Sequence, residues 1–375
     1  MIIVGGGPVG LFMALCLARL GIDCQVLEQK TEIDLHSKSL GIHPVSLELF
    51  DRLNITTRFL QEGVQIRNGH AFLDHKPIGT LSLDRCPPPH PYVLSLPQNR
   101  TELILEDLLE EVSPGTLLRG AQVTSIKSGQ NPVEIEYSRD GSLHQITSHY
   151  VIGCDGKNSM ARESAGIPFK GKSYPDTYIM GDFSDNTDLG ESAAIFLHRE
   201  GLTESFPIPG GYRRWVLSTD GIIPSPGRDL IETLTARRSG YSLKGTDSRM
   251  LSGFGVHFFQ AETLYKDRTF LAGDAAHIVS PIGGQGMNVG WLGAWDLAQT
   301  LDRVLKQPGG PENLLRDWSV RHKKRAATSA RRAEWNMKMG RKRRFPVIRN
   351  GIARLILKPP FNKRIANIFT MRGLE

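Results

Sequence analysis

Three observations predict an α/β chain made of a parallel-sheet unit, an antiparallel sheet and terminal helices. A βαβ unit with clustered glycines opens the sequence. Short alternating segments with Pro and Gly turns fill residues 173–264. Buried-strand patterns return at 151–154 and 268–272, the second followed by a glycine-rich loop and a long helix. At 375 residues the chain is too long for one simple core, which predicts two domains sharing a long interface.

The elements follow in order. Residues 2–4 read as a short apolar strand, followed by Gly5-Gly6-Gly7-Pro8-Val9-Gly10. A helix is expected over 9–20, with Leu11, Ala14, Leu15, Leu17 and Ala18 as its apolar positions and Gly21 as its stop. Residues 22–28 read as a second strand ending in Glu28. An amphipathic helix is expected over 101–112, opening at Thr101, and strands over 133–137 and 143–153. In the middle block, 178–183, 193–199, 204–209, 212–219 and 253–259 read as strands of one antiparallel sheet. A buried strand at 268–272, a glycine-rich loop at 281–286 and a helix over 286–305 come next. Gly309-Gly310-Pro311 breaks the pattern, and basic helices follow, interrupted near Pro346 and Pro359-Pro360.

Apolar residues make up 39% and charged residues 23%, a balance that excludes disordered and collagen-like classes. No apolar run reaches the ~18 residues of a membrane span. No basic leader precedes the first strand, so no signal peptide is expected and the location expected is cytoplasmic, with peripheral membrane contact as an option. Cys16, Cys24, Cys86 and Cys154 show neither CxxC nor metal spacing; reduced buried thiols are expected, and no metal. The formal charge of +7 is uneven: from residue 300 onward 20 Lys/Arg face 5 Asp/Glu.

Gly5, Gly7 and Gly10 satisfy G-x-G-x-x-G after a strand and at the opening of a helix. The first glycine suits a tight turn, the second a close approach to a pyrophosphate, the third close packing of helix on sheet. The helix N-terminus offers unpaired N–H groups and positive potential to phosphates. Glu28 stands where a ribose-binding carboxylate belongs. On this motif alone NAD and FAD are not distinguished.

Two further motifs choose. One is Val151-Ile152-Gly153-Cys154-Asp155-Gly156-Lys157-Asn158-Ser159, with Arg162 close behind. The other is Phe270-Leu271-Ala272-Gly273-Asp274-Ala275-Ala276-His277, then Pro281-Ile282-Gly283-Gly284-Gln285-Gly286-Met287-Asn288. With these motifs in register, the sequence resembles the class A flavin monooxygenases of the para-hydroxybenzoate hydroxylase type, over about residues 1–340. The resemblance implies a Rossmann-like FAD-binding domain of the GR2 type, discontinuous over 1–70, 96–172 and 265–310. It implies a substrate-binding β-sheet domain over 71–95 and 173–264, and basic C-terminal helices over 311–375. Asp155-Gly156 and Asp274 are then expected at FAD, with Arg162 securing the second motif's helix. The Pro281–Asn288 loop is expected as a wall around the flavin. Lys38 matches a family Arg at the FAD phosphate, and Gln98 a family glutamine near FAD. Two departures stand out: Gly293 replaces the family's usual Asp, and Phe259 replaces its usual Arg.

The resemblance implies hydride transfer from NADPH or NADH to FAD, O2 addition to give a flavin C4a-hydroperoxide, and oxygen transfer to an electron-rich carbon. No second glycine fingerprint for NAD(P)H is present. A loose match to the family's sheet turns Ile195 with Leu197, and Phe206 with Ile208, towards the substrate. These faces are apolar and carry no arginine to clamp a small carboxylate, so a larger aromatic or polyketide-like substrate is expected. His43, His198 and His257 are candidate bases by residue type alone. His277, behind the third motif, is expected to be structural, and no catalytic residue is assigned. Rival readings are a ubiquinone-pathway type hydroxylase of a prenylated ring at the membrane, and an FAD-dependent isoprenoid reductase. The basic tail reads as a solvated face packed on the FAD domain. A second reading is membrane contact through the apolar face of Phe361, Ile365 and Phe369. Nucleic-acid binding is not expected, since no recognition motif accompanies the charge.

Overall fold

The computed structural model describes residues 1–34, 39–306, 311–342 and 347–374. A six-stranded sheet forms the first layer. Strand β1 (Ile2–Val4) lies between β2 (Gln25–Glu28) and the strand Val151–Gly153. Thr269–Leu271 and Leu117–Arg119 extend the sheet in parallel on either side, and Tyr265–Lys266 adds an antiparallel edge. Helices cover this sheet, so strands such as Ile2–Val4 and Thr269–Leu271 are buried throughout and read as short apolar runs without alternation.

Helix α1 (Pro8–Arg19) follows β1 directly. Pro8 occupies the first turn, where a missing N–H costs nothing, and Gly21 takes the left-handed conformation (φ +71°) just beyond its end. Gly10 through Leu17 are buried without interruption, so this helix lies inside the molecule.

An eight-stranded sheet forms the second unit. Its order is His277–Ile278, Ser248–Ala261, Phe169–Ser184, Tyr212–Thr219, Gly201–Ile208, Ala193–His198, Asn68–Leu73, Lys76–Ser82. One face packs under the helix Arg228–Ser239, burying Ile179, Phe196, Trp215 and Leu217 with Ile231. The other face buries Tyr178, Met180, Leu197, Leu202 and Val216 with Ile282 and Met337. A small third sheet pairs Val93–Ser95 with Gly41–Ile42 and Val64–Ile66.

Several boundaries differ from expectation. The strand expected over 178–183 runs Phe169–Ser184, because its polar first half is held by pairing with 257–261 rather than by burial. The expected 22–28 strand begins only at Gln25, and the 101–112 helix begins at Gln98, behind Pro97. The helix Arg228–Ser239 was not expected. It buries only Ile231, Thr235, Arg238 and Ser239, a stripe too thin and too polar to stand out, and Gly240 (φ +84°) ends it.

The C-terminal helix Pro311–Gly340 buries Leu315, Trp318, His322, Ala326, Ala333 and Met337 along one stripe and exposes Arg321, Lys324 and Arg331 on the other side. Several tail cations are engaged within the fold: Arg325 with Asp296 (2.8 Å), Arg341 with Asp176 (2.7 Å) and Lys342 with Asp220 (2.6 Å). The apolar face expected to meet a membrane is instead largely covered. Ile365 is buried and Phe369 packs with it against Leu81, Leu83 and Cys86; Phe361 remains exposed. Among the described residues no helix is long and apolar enough to cross a membrane.

Candidate active site

The fingerprint glycines divide by what surrounds them. Gly5 has φ +101°, and a Cβ there would lie 2.4 Å from the Cys154 carbonyl oxygen. A Cβ on Gly10 would sit 1.9 Å from the Gly5 carbonyl oxygen, so the third glycine is demanded by helix-on-turn packing. A Cβ on Gly7 would meet nothing within 4 Å. Its open side faces a cleft of about 650 Å³, lined also by Glu28, Gln98, Glu102, Arg119, Asp155 and Lys157. The first turn of α1 leaves N–H groups without partners inside the helix, facing that cleft.

Glu28 is buried at the end of β2. Its carboxylate accepts from the Gly6 N–H (2.6 Å) and the Lys30 N–H (2.8 Å), which fixes it at the cleft wall. Gln98 lines the same wall and donates to Glu102 (2.8 Å), whose carboxyl burial pushes up. Lys38 lies outside the described residues.

The second motif meets the cleft from the neighbouring strand. Asp155 accepts from the Ala161 N–H (3.1 Å) through one oxygen, while the other is buried with no partner. Burial pushes this carboxyl up. Gly156 takes φ +77° beside open space. Arg162 donates to the Lys157 carbonyl (2.9 Å) and to the Ala275 carbonyl of the third motif (3.1 Å). Its guanidinium lies 4.0 Å from the Phe169 ring centre, and Phe169 stacks on Phe259. Arg162 thus ties the two aspartate motifs together, and Phe259 adds a ring to its platform.

The Asp274 side chain keeps its contact with solvent although protein packs around it. That surrounding protein pushes its carboxyl up to about 6, with Lys157 opposing. Val9 packs beneath it: a Cβ on Gly273 would lie 3.2 Å from Val9, and one on Gly290 2.6 Å. The Pro8 carbonyl accepts from the Trp291 indole (2.9 Å). Pro8 lines the cleft, whereas Val9 pins the first motif against the third and the helix behind it.

The segment expected as one loop, Pro281–Asn288, is a loop only to Gly284; Gln285 begins the helix Gln285–Lys306. Gly283 (φ +89°) and Gly284 (φ +66°) make the turn, Pro281 is exposed, and Gly286 and Met287 stay partly open. Asn288 has no side-chain capacity left for a ligand. Its oxygen accepts from the His43 N–H and the Ser46 hydroxyl (both 2.8 Å), and its amide donates to Gly41 (2.9 Å) and Gly284 (2.8 Å) carbonyls. His43 meets the Gly283 carbonyl (3.1 Å), and burial lowers its pKa to about 4. It is a neutral brace of the loop. His198 ends its strand and accepts from the Glu200 N–H of the turn that follows (3.2 Å), and the exposed His257 meets Ser173 (2.9 Å).

The Gly293 departure has a structural answer. His322 fills the space: a Cβ on Gly293 would lie 2.3 Å from its ring. His322 in turn meets His277 through facing Nε2 atoms (2.8 Å), and burial lowers both pKa values, His277 to about 4.

Ile195, Leu197 and Phe206 share the sheet face that packs with Ile282 of the glycine loop. Ile208 is buried at the strand end, outside that cluster. One expectation about this face needs correction. Arg214 does stand on it, across from Phe206, but Asp182 neutralises it through two contacts of 2.7 and 2.8 Å. Sequence reasoning also passed over Glu204. It pairs with Ile195 on one side and Val216 on the other, two residues before Phe206 and therefore on the same face. Alternation from Phe206 and Ile208 was signal enough to place it.

These residues fit a flavin dinucleotide: an open glycine cradle at a helix N-terminus, a fixed carboxylate at the ribose position, an orphaned Asp155 oxygen, and a solvent-open Asp274 next to Gly273, which packs on Val9 of the first motif. Comparison with known proteins agrees. Residues 1–333 match the family described as FAD binding domain. An uncharacterized aromatic compound monooxygenase of Bacillus subtilis is 36% identical over 314 residues, 81% of this chain and 62% of that protein. Rifampicin monooxygenase of Streptomyces venezuelae is 31% identical over 326 residues, 84% of this chain and 66% of that one. The chain thus spans less than two thirds of either relative. The crystal structure of p-nitrophenol 4-monooxygenase from Pseudomonas putida DLL-E4 superposes with a TM-score of 0.89 at 23% identity, covering 99% of this chain and 98% of that one, a likeness of fold.

Proposed function

The chain belongs to the FAD-binding-domain family of class A flavin monooxygenases, and from that premise we propose that it uses NAD(P)H and O2 to hydroxylate an aromatic or polyketide-like substrate. One observation carries the reading. Ile282 of the third motif's glycine loop is buried in the same cluster as Leu197, Tyr178 and Val216, so the loop expected at the flavin lies directly against the apolar sheet face. The relatives' names, aromatic compound and rifampicin monooxygenases, favour an aromatic substrate over a prenylated quinone precursor or an isoprenoid.

When bound, FAD supplies hydride acceptance from NAD(P)H and the activation of O2. The chain's part is binding, orientation and exclusion of water. Gly7 and the start of α1, in the turn that Gly5 and Gly10 shape, would hold the pyrophosphate, and Glu28 the adenosine ribose. Gln98, Asp155-Gly156 and Asp274 flank the remainder. Pro281, Gly283, Gly286 and Met287 wall the reacting ring, backed by the Asn288 bracket and neutral His43. The N-terminus of the helix Gln285–Lys306 favours negative charge on that ring. Ile195, Leu197 and Phe206 lay an apolar substrate against it and keep water out.

The division of labour is part of the proposal: FAD on 1–70, 96–172 and 265–310, substrate on the sheet that 173–264 builds. The strands Asn68–Leu73 and Lys76–Ser82 support assigning part of 71–95 to that sheet, while Val93–Ser95 pairs with Gly41–Ile42. The test is a panel of phenols and polyketides with FAD-loaded protein. At least one compound should stimulate NAD(P)H oxidation together with O2 uptake and yield hydroxylated product. Compound-independent NAD(P)H oxidation with no hydroxylated product across the panel overturns the reading.

A further inference from the structure

Glu204 is the one carboxyl on the face between the sheet and the glycine loop that has no counterpart among the described residues. Its cross-strand neighbours are Ile195 and Val216, and Phe206, Leu202 and Met180 surround the same position on the sheet. The neighbouring charged groups are engaged elsewhere. Arg214, on the adjoining strand, is clamped to Asp182 at 2.7 and 2.8 Å. Arg341, behind Tyr178, is clamped to Asp176 at 2.8 and 2.7 Å. Tyr178 faces Glu204 and stacks on Phe254, its phenol pushed up by burial first and by the Glu204 charge next. The apolar enclosure raises the Glu204 carboxyl to about 7.

A carboxylate desolvated by apolar neighbours and left without a donor is costly to the fold. It is tolerated where a ligand completes it, and this one lies on the sheet face assigned to substrate, between Ile195 and Val216. We propose that Glu204 is a catalytic residue that receives the hydroxyl proton of a phenolic or enolic substrate. The inference rests on the reading above that this face takes the substrate. In the step, the substrate O–H bond breaks and its electron pair stays on oxygen. The proton passes to a Glu204 carboxylate oxygen, giving a neutral carboxylic acid and a phenolate. The ring gains electron density at its ortho and para carbons, which is what electrophilic oxygen transfer needs. A base that titrates near the working pH suits both halves of that exchange.

The experiment measures binding to the FAD-loaded protein in the absence of NAD(P)H, read from the flavin absorbance, so it does not depend on turnover. The probes are 4-methylphenol, its methyl ether, and 4-methylbenzylamine, over pH 6–8.5, where the phenol stays neutral in solution. Wild type should bind the phenol about tenfold or more tightly than the ether above pH 7, because a hydrogen bond to a charged acceptor is lost with the O–H. That preference should fade as pH falls through 7. Glu204→Gln should keep FAD and its melting temperature but lose both the preference and its pH dependence. For a phenol that is turned over, its kcat should fall about 100-fold or more. An unchanged preference in Glu204→Gln, equal binding of phenol and ether by wild type, absence of phenol binding, or tighter binding of the amine than the phenol each overturns the assignment. Phenol binding that behaves as expected without any O2 uptake leaves Glu204 standing and removes the oxygenase reading; hydroxylation with an unaltered Glu204→Gln variant does the reverse.

Discussion

Substituting two fingerprint glycines separates ligand approach from packing. Gly7 has φ −74° and ψ −175°, a conformation alanine adopts freely, and its Cβ would point into open space. Gly7→Ala should therefore leave the flavin-free protein nearly as stable. The lost N-cap preference, a few tenths to about 1 kcal/mol, is offset by a less mobile unfolded chain, worth about 0.4–1 kcal/mol. The added methyl intrudes where the pyrophosphate would lie. An overpacking cost of about 1–3 kcal/mol corresponds to roughly 5- to 150-fold weaker FAD binding. Gly10→Ala is the converse. Its Cβ falls 1.9 Å from the Gly5 carbonyl oxygen, so backbone must move, and the flavin-free protein itself should lose about 1–3 kcal/mol or more. The assay is thermal melting of stripped protein beside a FAD fluorescence titration. Wild-type FAD affinity in Gly7→Ala would refute the placement of the dinucleotide, and an unshifted melt in Gly10→Ala would refute the packing argument.

Other perturbations test separate parts. Gly293→Ala drives a methyl to 2.3 Å from the His322 ring and should destabilise by about 1–3 kcal/mol, lowering the melting temperature; no shift would mean His322 does not fill that space. Asp182→Asn leaves the buried Arg214 guanidinium without its counter-charge and should cost about 3–5 kcal/mol by denaturant unfolding. His43 and His277 titrate near 4 in the fold but near 6.5 when unfolded, so below pH 6.5 the unfolded chain binds more protons. Stability should be full above pH 6.5 and fall as pH drops towards 4, by up to about 1.4 kcal/mol per unit for each histidine; a flat melting profile over that window would contradict their burial as neutral rings.

The three glycine-and-aspartate motifs were legible because each is contiguous and each answers a local demand: a positive φ, a close approach, a helix N-terminus. Strand pairs in the middle block were legible wherever one face alternates, as at Tyr212–Thr219, found at its expected bounds. What escaped depends on partners distant in sequence. The Asn288 bracket spans 247 residues to Gly41, and its amide reads locally like any other member of the glycine loop. His322 answers the Gly293 departure from another helix, 29 positions on, so the substitution looked like a loss until its replacement was seen. Arg214 and Asp182 become a pair only through the register of two strands. Ile365 and Phe369 gave the right apolar periodicity but could not say that Leu81 and Leu83 would cover them. Glu204 was reachable by counting in twos from Phe206, but a lone acid in a strand draws no attention until its neighbours are known to be apolar.

Oxygen isotope transfer tests the central claim most directly. FAD-loaded protein would be supplied with NADPH, ¹⁸O₂ and the phenol or polyketide that best stimulates NADPH oxidation, and the product analysed by mass spectrometry. The account predicts one ¹⁸O atom in the new hydroxyl group and the other in water. Product oxygen drawn from water, or substrate transformed without any label, would contradict it.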